Sequence, residues 1–161
     1  MKTVHIVVVA MTFALGMPIA PAAWAESYGK AGGPLMMGPN DLKWADVPEL
    51  PPGAKIAVIQ GPLHEAVPFI FRLKVPAGYR IPVHTHPAVE HVTVISGTYY
   101  FAGGDTFDHA SATMLTPGSV AIMPAGHPMY SWTKEETIVQ VHGVGPWGTK
   151  YLNPANDPRK K

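Results

Sequence analysis

From residue 54 onward the apolar residues come in short runs, and inside the runs they tend to alternate with polar ones. Glu90, Val92, Val94 and Ser96 share one parity, and His91, Thr93 and Ile95 the other. Residues two apart on a strand face the same way, so this is the pattern of a strand with one buried face. The same reading predicts strands at Ala54–Gln60, Phe69–Val75, Tyr79–His86, Glu90–Ala102, Ala112–Leu115, Ser119–Pro124, Met129–Thr133 and Thr137–Gly143. Turn-forming clusters separate them: Gly61-Pro62, Pro76-Ala77-Gly78, Gly103-Gly104, Thr116-Pro117-Gly118, Pro124-Ala125-Gly126 and Lys134-Glu135-Glu136. No helical period runs for any length, and Asp105–Ala112 has room for a single helical turn. Many short strands at this spacing predict an all-β sandwich or barrel.

The flanks read differently. Lys2 followed by the apolar run Ile6–Leu15 and by Ala23-Trp24-Ala25 has the charge, core and small-residue cleavage site of a secretory signal peptide. The apolar run is short for a membrane span, and Gly16, Pro18 and Pro21 come straight after it. The expected divisions are a leader at 1–25, an irregular arm at 26–53, a barrel at 54–148 and a loop-like tail at 149–161. The arm is rich in glycine and proline. Its Met36-Met37 pair reads as apolar filler, and Trp44 as its anchor on the domain.

Removing 25 of the 161 residues leaves 136, a comfortable size for one domain. The whole chain carries 12 basic and 11 acidic residues. Losing Lys2 with the leader makes the mature chain neutral. That balance gives no reason to expect nucleic acid or a membrane surface as a partner of the mature form. Cysteine is absent, which excludes disulfides, thiol catalysis and Cys-ligated zinc. The expected location is the periplasm, beyond an inner membrane.

Candidate chemistry concentrates between Gly78 and Gly97. His84 and His86 stand at i and i+2 on a predicted strand, so both imidazoles face one side and Thr85 the other. Pro82 and Pro87 bracket the pair and argue against a helix. Pro87-Ala88-Val89 has the length of a hairpin connection, after which Glu90 opens the next strand and aims at the same point. Two imidazoles and a carboxylate form a metal site with open positions, a set that suits Fe(II) and its neighbours. On this parity His91 faces away and is left out.

The spacing of Gly78, His84, His86, Glu90 and Gly97 resembles the first motif of the cupin superfamily, G-x5-H-x-H-x3-E-x6-G, at every fixed position. The resemblance implies a jelly-roll β-barrel around one divalent metal, iron or manganese first, with copper, zinc or nickel as alternatives, and often a homodimer. Exposed strand edges and the Met-rich arm are consistent with pairing. In the family's second motif, G-x5-P-x-G-x2-H-x3-N, the chain matches at Gly118, Pro124 and Gly126. Met129 stands in the histidine's place and Thr133 in the asparagine's.

Three readings of that departure stay open. Met129 is a ligand, which suits copper; or it only fills space beside a His2Glu site; or His127 or His142 substitutes. Gln140 and His142 share a face of Thr137–Gly143 and are expected to line the lumen, with Val139 and Val141 turned away. Tyr99, Phe101, Tyr130 and Trp132 are candidate pocket walls, with His127, Gln140 and His142 beside the substrate. Asp105, Asp108 and His109, like His64-Glu65, read as ordinary loop residues. The functional expectation is a metal-dependent, dioxygenase-type oxidoreductase acting on a small organic molecule, with Glu90 as its catalytic proton acceptor. The alternative is a non-catalytic metal- or small-molecule-binding module.

Overall fold

The computed structural model describes residues 33–160, so the expected leader and the start of the arm lie outside the described residues. Two antiparallel sheets face each other. The larger runs β1 (Ala45–Asp46), β2 (Lys55–Gln60), β3 (Pro68–Val75), β10 (Thr137–Val144), β5 (Glu90–Ser96), β8 (Val120–Met123). The smaller runs β11 (Lys150–Tyr151), β4 (Arg80–Thr85), β9 (Met129–Thr133), β6 (Tyr99–Gly103), β7 (Thr113–Leu115). This is the all-β architecture that the run lengths predict and the jelly roll that the resemblance of the first motif implies.

Alternation builds the core. On β3 the side chains of Phe69, Phe71, Leu73 and Val75 are buried, while Ile70, Arg72 and Lys74 turn to the outer side. On β10 the buried residues are Thr137, Val139 and Val141. The apolar residues among these meet Ile81, Tyr99, Phe101 and Met129 of the opposite sheet in one cluster. Each large side chain so buried contributes about 1.5–3 kcal/mol. A smaller cluster of Val83, Ala102 and Tyr130 lies outside the smaller sheet, covered by Phe107 and Ala112 of the 104–112 loop. That loop holds bends and a turn rather than a helix, capped by Asp108 at the Ala110 amide (2.9 Å).

The predicted run Glu90–Ala102 divides at Gly97-Thr98 into β5 and β6, which belong to different sheets. Gly97 has φ +74°, and a Cβ there would collide with the Glu136 carbonyl and Thr137. Only glycine makes that corner without strain.

The connection after His86 is a second corner, not the expected hairpin. β4 pairs with β9 and β11, whereas β5 pairs with β10 and β8. His84 and Glu90 therefore converge by facing each other across the barrel rather than along one ladder. The register of β4 on β9 shifts between Ile81 and His84. Proline has no N–H to give a ladder, and the irregularity at Pro82 and Val83 lets Ile81 and His84 both face inward while Val83 joins the outer cluster.

The chain beyond 148, expected as a loop, docks on the barrel. β11 extends the smaller sheet, and the buried Tyr151 donates its hydroxyl to the Glu49 carbonyl (2.9 Å), tying tail to arm. Among the described residues no helix is long and apolar enough to cross a membrane.

Candidate functional site

His84, His86 and Glu90 meet inside the barrel, 3%, 4% and 4% exposed. They line a cavity of about 30 Å³ whose other walls include Phe71, Val92, Tyr99, Phe101, Met129, Val139, Val141 and Trp147. A water needs roughly 10–15 Å³ of such space, so this holds one or two small ligands.

The backbone sets the protonation of both imidazoles. His84 Nδ1 lies 2.7 Å from the Pro82 carbonyl and His86 Nδ1 2.7 Å from the Gly148 carbonyl. A carbonyl only accepts, so each Nδ1 carries the proton and each Nε2 keeps its lone pair. Burial lowers His84 to about 3, helped by the neighbouring His86, and lowers His86 to about 4. Both rings are neutral at pH 7. They stand edge to face, centroids 4.8 Å apart.

His86 Nε2 looks across 3.4 Å at Glu90 Oε2. Burial pushes the Glu90 carboxyl up to about 7, against the lowering effect of a hydrogen bond from Trp147 Nε1 to Oε1. An ionised Glu90 would set a negative oxygen against a bare nitrogen lone pair in a buried cavity. Two species relieve that contact: a proton on Glu90 or a cation between the groups. Among the described residues no three His, Cys, Asp or Glu side chains form a preformed metal cluster. The donor chemistry, two Nε2 lone pairs and a carboxylate oxygen, nonetheless suits a divalent ion.

Met129 pairs with His84 across β9 and β4 and is 1% exposed on the same cavity. It occupies the place expected for it. Tyr99 also lines the cavity, with burial pushing its phenol up, and donates to Ser131 Oγ (2.7 Å).

Four expected pocket residues lie elsewhere. Gln140 and His142 face out of the larger sheet, because Val139 and Val141 take the inward positions of β10. Gln140 accepts from Arg72 Nε (3.4 Å) beneath the arm. His142 stacks on His91, centroids 4.9 Å apart. Trp132 stacks on Tyr100 outside the smaller sheet, since the alternation that turns Met129 and Ser131 inward turns residue 132 outward. His127 is exposed on the turn before β9, beside Gly103. Neither His127 nor His142 reaches the cavity to substitute for Met129. Tyr130, a further expected wall, sits in the outer cluster and bonds the Asp108 carbonyl (3.0 Å).

The residue missed from sequence is Trp147. Its ring stacks on His86 (5.6 Å, 19°), meets Phe71 edge-on (4.8 Å) and closes the cavity, while its Nε1 holds Glu90. It lies in the loop after β10, placed by the bonds Gly145 N to Val67 O (2.9 Å) and Trp147 N to Leu63 O (2.6 Å). No local pattern marks it.

No protein-family model matches the chain, and no curated protein matches it. Solved structures do. The polyketide cyclase RemF from Streptomyces resistomycificus superposes with TM-score 0.63 at 15% identity, covering 78% of this chain and 90% of that one. The DMSP lyase DddQ from Ruegeria pomeroyi gives 0.57 at 21%, covering 70% and 62%. An RmlC-like cupin from Shewanella frigidimarina gives 0.55 at 14%, covering 67% and 87%. The chain has the cupin fold, as its first motif implies.

Proposed function

We propose that the chain is a metal-dependent cupin enzyme acting on a small organic molecule, with one divalent ion held by His84, His86 and Glu90. The observation that carries this is the lone pair of His86 Nε2 facing Glu90 Oε2 at 3.4 Å in a buried cavity. A bound iron or manganese ion would supply Lewis-acid or redox chemistry, including use of O2, to a substrate entering beside it. The chain's own residues do the rest. The carbonyls of Pro82 and Gly148 hold the imidazoles in the binding tautomer. Phe71, Val92, Phe101, Val139 and Val141 exclude bulk water. Glu90, whose carboxyl burial pushes up to about 7 in the metal-free site, is suited to take or return a proton at Oε2 where its bond to the metal is weak, while Trp147 fixes Oε1. The fold also serves enzymes named for cyclisation and lyase chemistry, so dioxygenase chemistry is the finer part of the proposal.

One observation favours the rival, a non-catalytic binding module: the thioether of Met129 fills the remaining wall of a cavity with little spare volume. We propose further that the chain is exported and cleaved after Ala25, on the strength of Lys2, the apolar run and Ala23-Trp24-Ala25.

Elemental analysis of the mature protein, purified without a His tag or added metal, tests the site. Near-stoichiometric iron or manganese with O2 uptake on a substrate screen supports the enzyme. Zinc without turnover supports the binding module, and copper makes Met129 a ligand. If no metal is retained and none loads, the metal reading fails. A mature N-terminus other than Glu26 overturns the cleavage site.

A further inference from the structure

Four consecutive residues, Trp147 to Lys150, touch both sides of the barrel wall. Trp147 bonds Glu90, and the Gly148 carbonyl takes His86 Nδ1. Thr149 and Lys150 then line an open groove of about 570 Å³ on the outside. His86 lines both this groove and the inner cavity, so the two lie on either side of one residue.

The groove has the chemistry of an anion subsite. Thr149 is 5% exposed, and its Oγ1 is buried with no hydrogen-bond partner among the described residues. Buried hydroxyls are nearly always bonded, so an orphan on the wall of a groove marks a missing partner. Lys150 is exposed, and among the described residues nothing bonds or pairs its ammonium. Arg159 also lines the groove, but its charge is spoken for. Nε and Nη2 reach the two Asp157 oxygens at 2.8 and 2.9 Å, and Nη2 the Thr149 carbonyl at 2.8 Å. Asp157 thereby anchors the guanidinium that holds the backbone of Thr149 in place. No Asp or Glu lines the groove, and Pro87 and Ala125 add apolar wall. One free ammonium, one free hydroxyl and a short apolar wall suit a single negative charge on a small carbon body.

We propose that this groove binds the carboxylate of a small organic acid, with Lys150 Nζ donating to it, the buried Thr149 hydroxyl turning outward to join it, and the rest of the ligand running towards His86. The inference rests on the metal-site reading only in calling that acid a substrate, and the binding itself needs no metal.

Amide chemical shifts of the mature protein, titrated with butyrate and with its uncharged analogue butyramide, test it in metal-loaded and metal-depleted samples. Butyrate produces saturable shifts at Gly126, Thr149 and Lys150 in both samples, and butyramide does not. Thr149→Val and Lys150→Gln each weaken butyrate binding about tenfold, while the Tm of Thr149→Val holds or rises because its hydroxyl has no partner to lose. Lys150 is on the surface, so its variant reads the site even if Thr149→Val disturbs the fold. The proposal is overturned by absence of saturable groove shifts, by equal binding of butyramide, or by wild-type affinity in both variants. Loss of metal binding with butyrate binding retained would sink the metal reading and leave the groove standing.

Discussion

The molecule carries two pairs of histidines with almost the same ring separation. His84 and His86 sit on one strand, centroids 4.8 Å apart, and His91 and His142 face each other across β5 and β10 at 4.9 Å. The inner pair has each Nδ1 bonded to a carbonyl, rings edge to face, and a carboxylate beside it. The outer pair lies stacked within 16°, both Nδ1 atoms are buried without a partner, and no acidic residue lines its hollow. Burial, then the nearby His91, lowers His142, so proximity of imidazoles suppresses charge at both places. What separates the proposed metal site from a mere pair is the backbone that fixes each tautomer and the carboxylate that would complete the donor set.

The strongest way to break that contrast is to remove one ring from each pair. His84→Ala is expected to weaken metal binding a thousandfold or more, about 4 kcal/mol, while His142→Ala leaves it unchanged. Competitive titration against a metal indicator decides it, and equal losses from the two variants would erase the distinction.

The inner half of this contrast was legible in the chain. The i, i+2 spacing, the prolines around it and the parity of Glu90 and His91 all act locally, and strand alternation carries them faithfully to the structure. Failures came where the chain's neighbours are remote. Gln140 and His142 are expected inside because polar residues on an apolar strand can line a cavity. The lumen is instead mostly apolar, so Val139 and Val141 claim it. The outer face tolerates the polar residues because Arg72 and the arm meet Gln140, and His91 meets His142. Trp132, expected as a pocket wall, lies outside because the parity of Met129 turns it outward. Trp147 had no parity to read, since a loop brings it back across the barrel mouth. The corner after His86 was also hidden, because three residues can close a hairpin or cross between sheets equally well.

A second test uses the charge on Glu90 in the metal-free protein. Its folded pKa, about 7, lies above the usual value near 4.5, so its contribution to stability is complete below 4.5 and is lost as pH rises through 7. The inner imidazoles have the opposite sign. Their neutral forms stabilise the fold above 6.5, and that contribution fades as pH falls towards 4 and 3. Glu90→Gln should therefore raise metal-free stability at pH 8 by about 3 kcal/mol and change little at pH 4. Urea unfolding at the two pH values reads this out, and a variant equally affected at both would contradict the buried-carboxyl account. The same substitution should abolish the rise in metal affinity between pH 6 and 8.

Trp147→Phe keeps the stacking on His86 and removes the donor to Glu90. Metal affinity should change about tenfold, the scale of an outer hydrogen bond on a ligand, with the Glu90 pKa moving further up. An unchanged pH profile would mean that the indole is only wall. The smallest effect is expected from Met129→Leu. A swap of similar volume costs under about 1.5 kcal/mol of stability and leaves iron or manganese binding intact. A selective loss of copper binding would instead place the thioether on the metal.

Trp147 has one more consequence. The chain has four tryptophans: Trp24 falls in the expected leader, Trp44 lies under Lys74, and Trp132 stacks outside the barrel. Among the described residues Trp147 alone of the tryptophans touches the cavity, its indole against His86 and its N–H on Glu90. The molecule thus carries a built-in optical probe on the wall of its inner cavity. Occupation of the cavity should alter the emission of one fluorophore while the other two in the mature chain give a steady background, so ligand arrival can be followed in real time without a label.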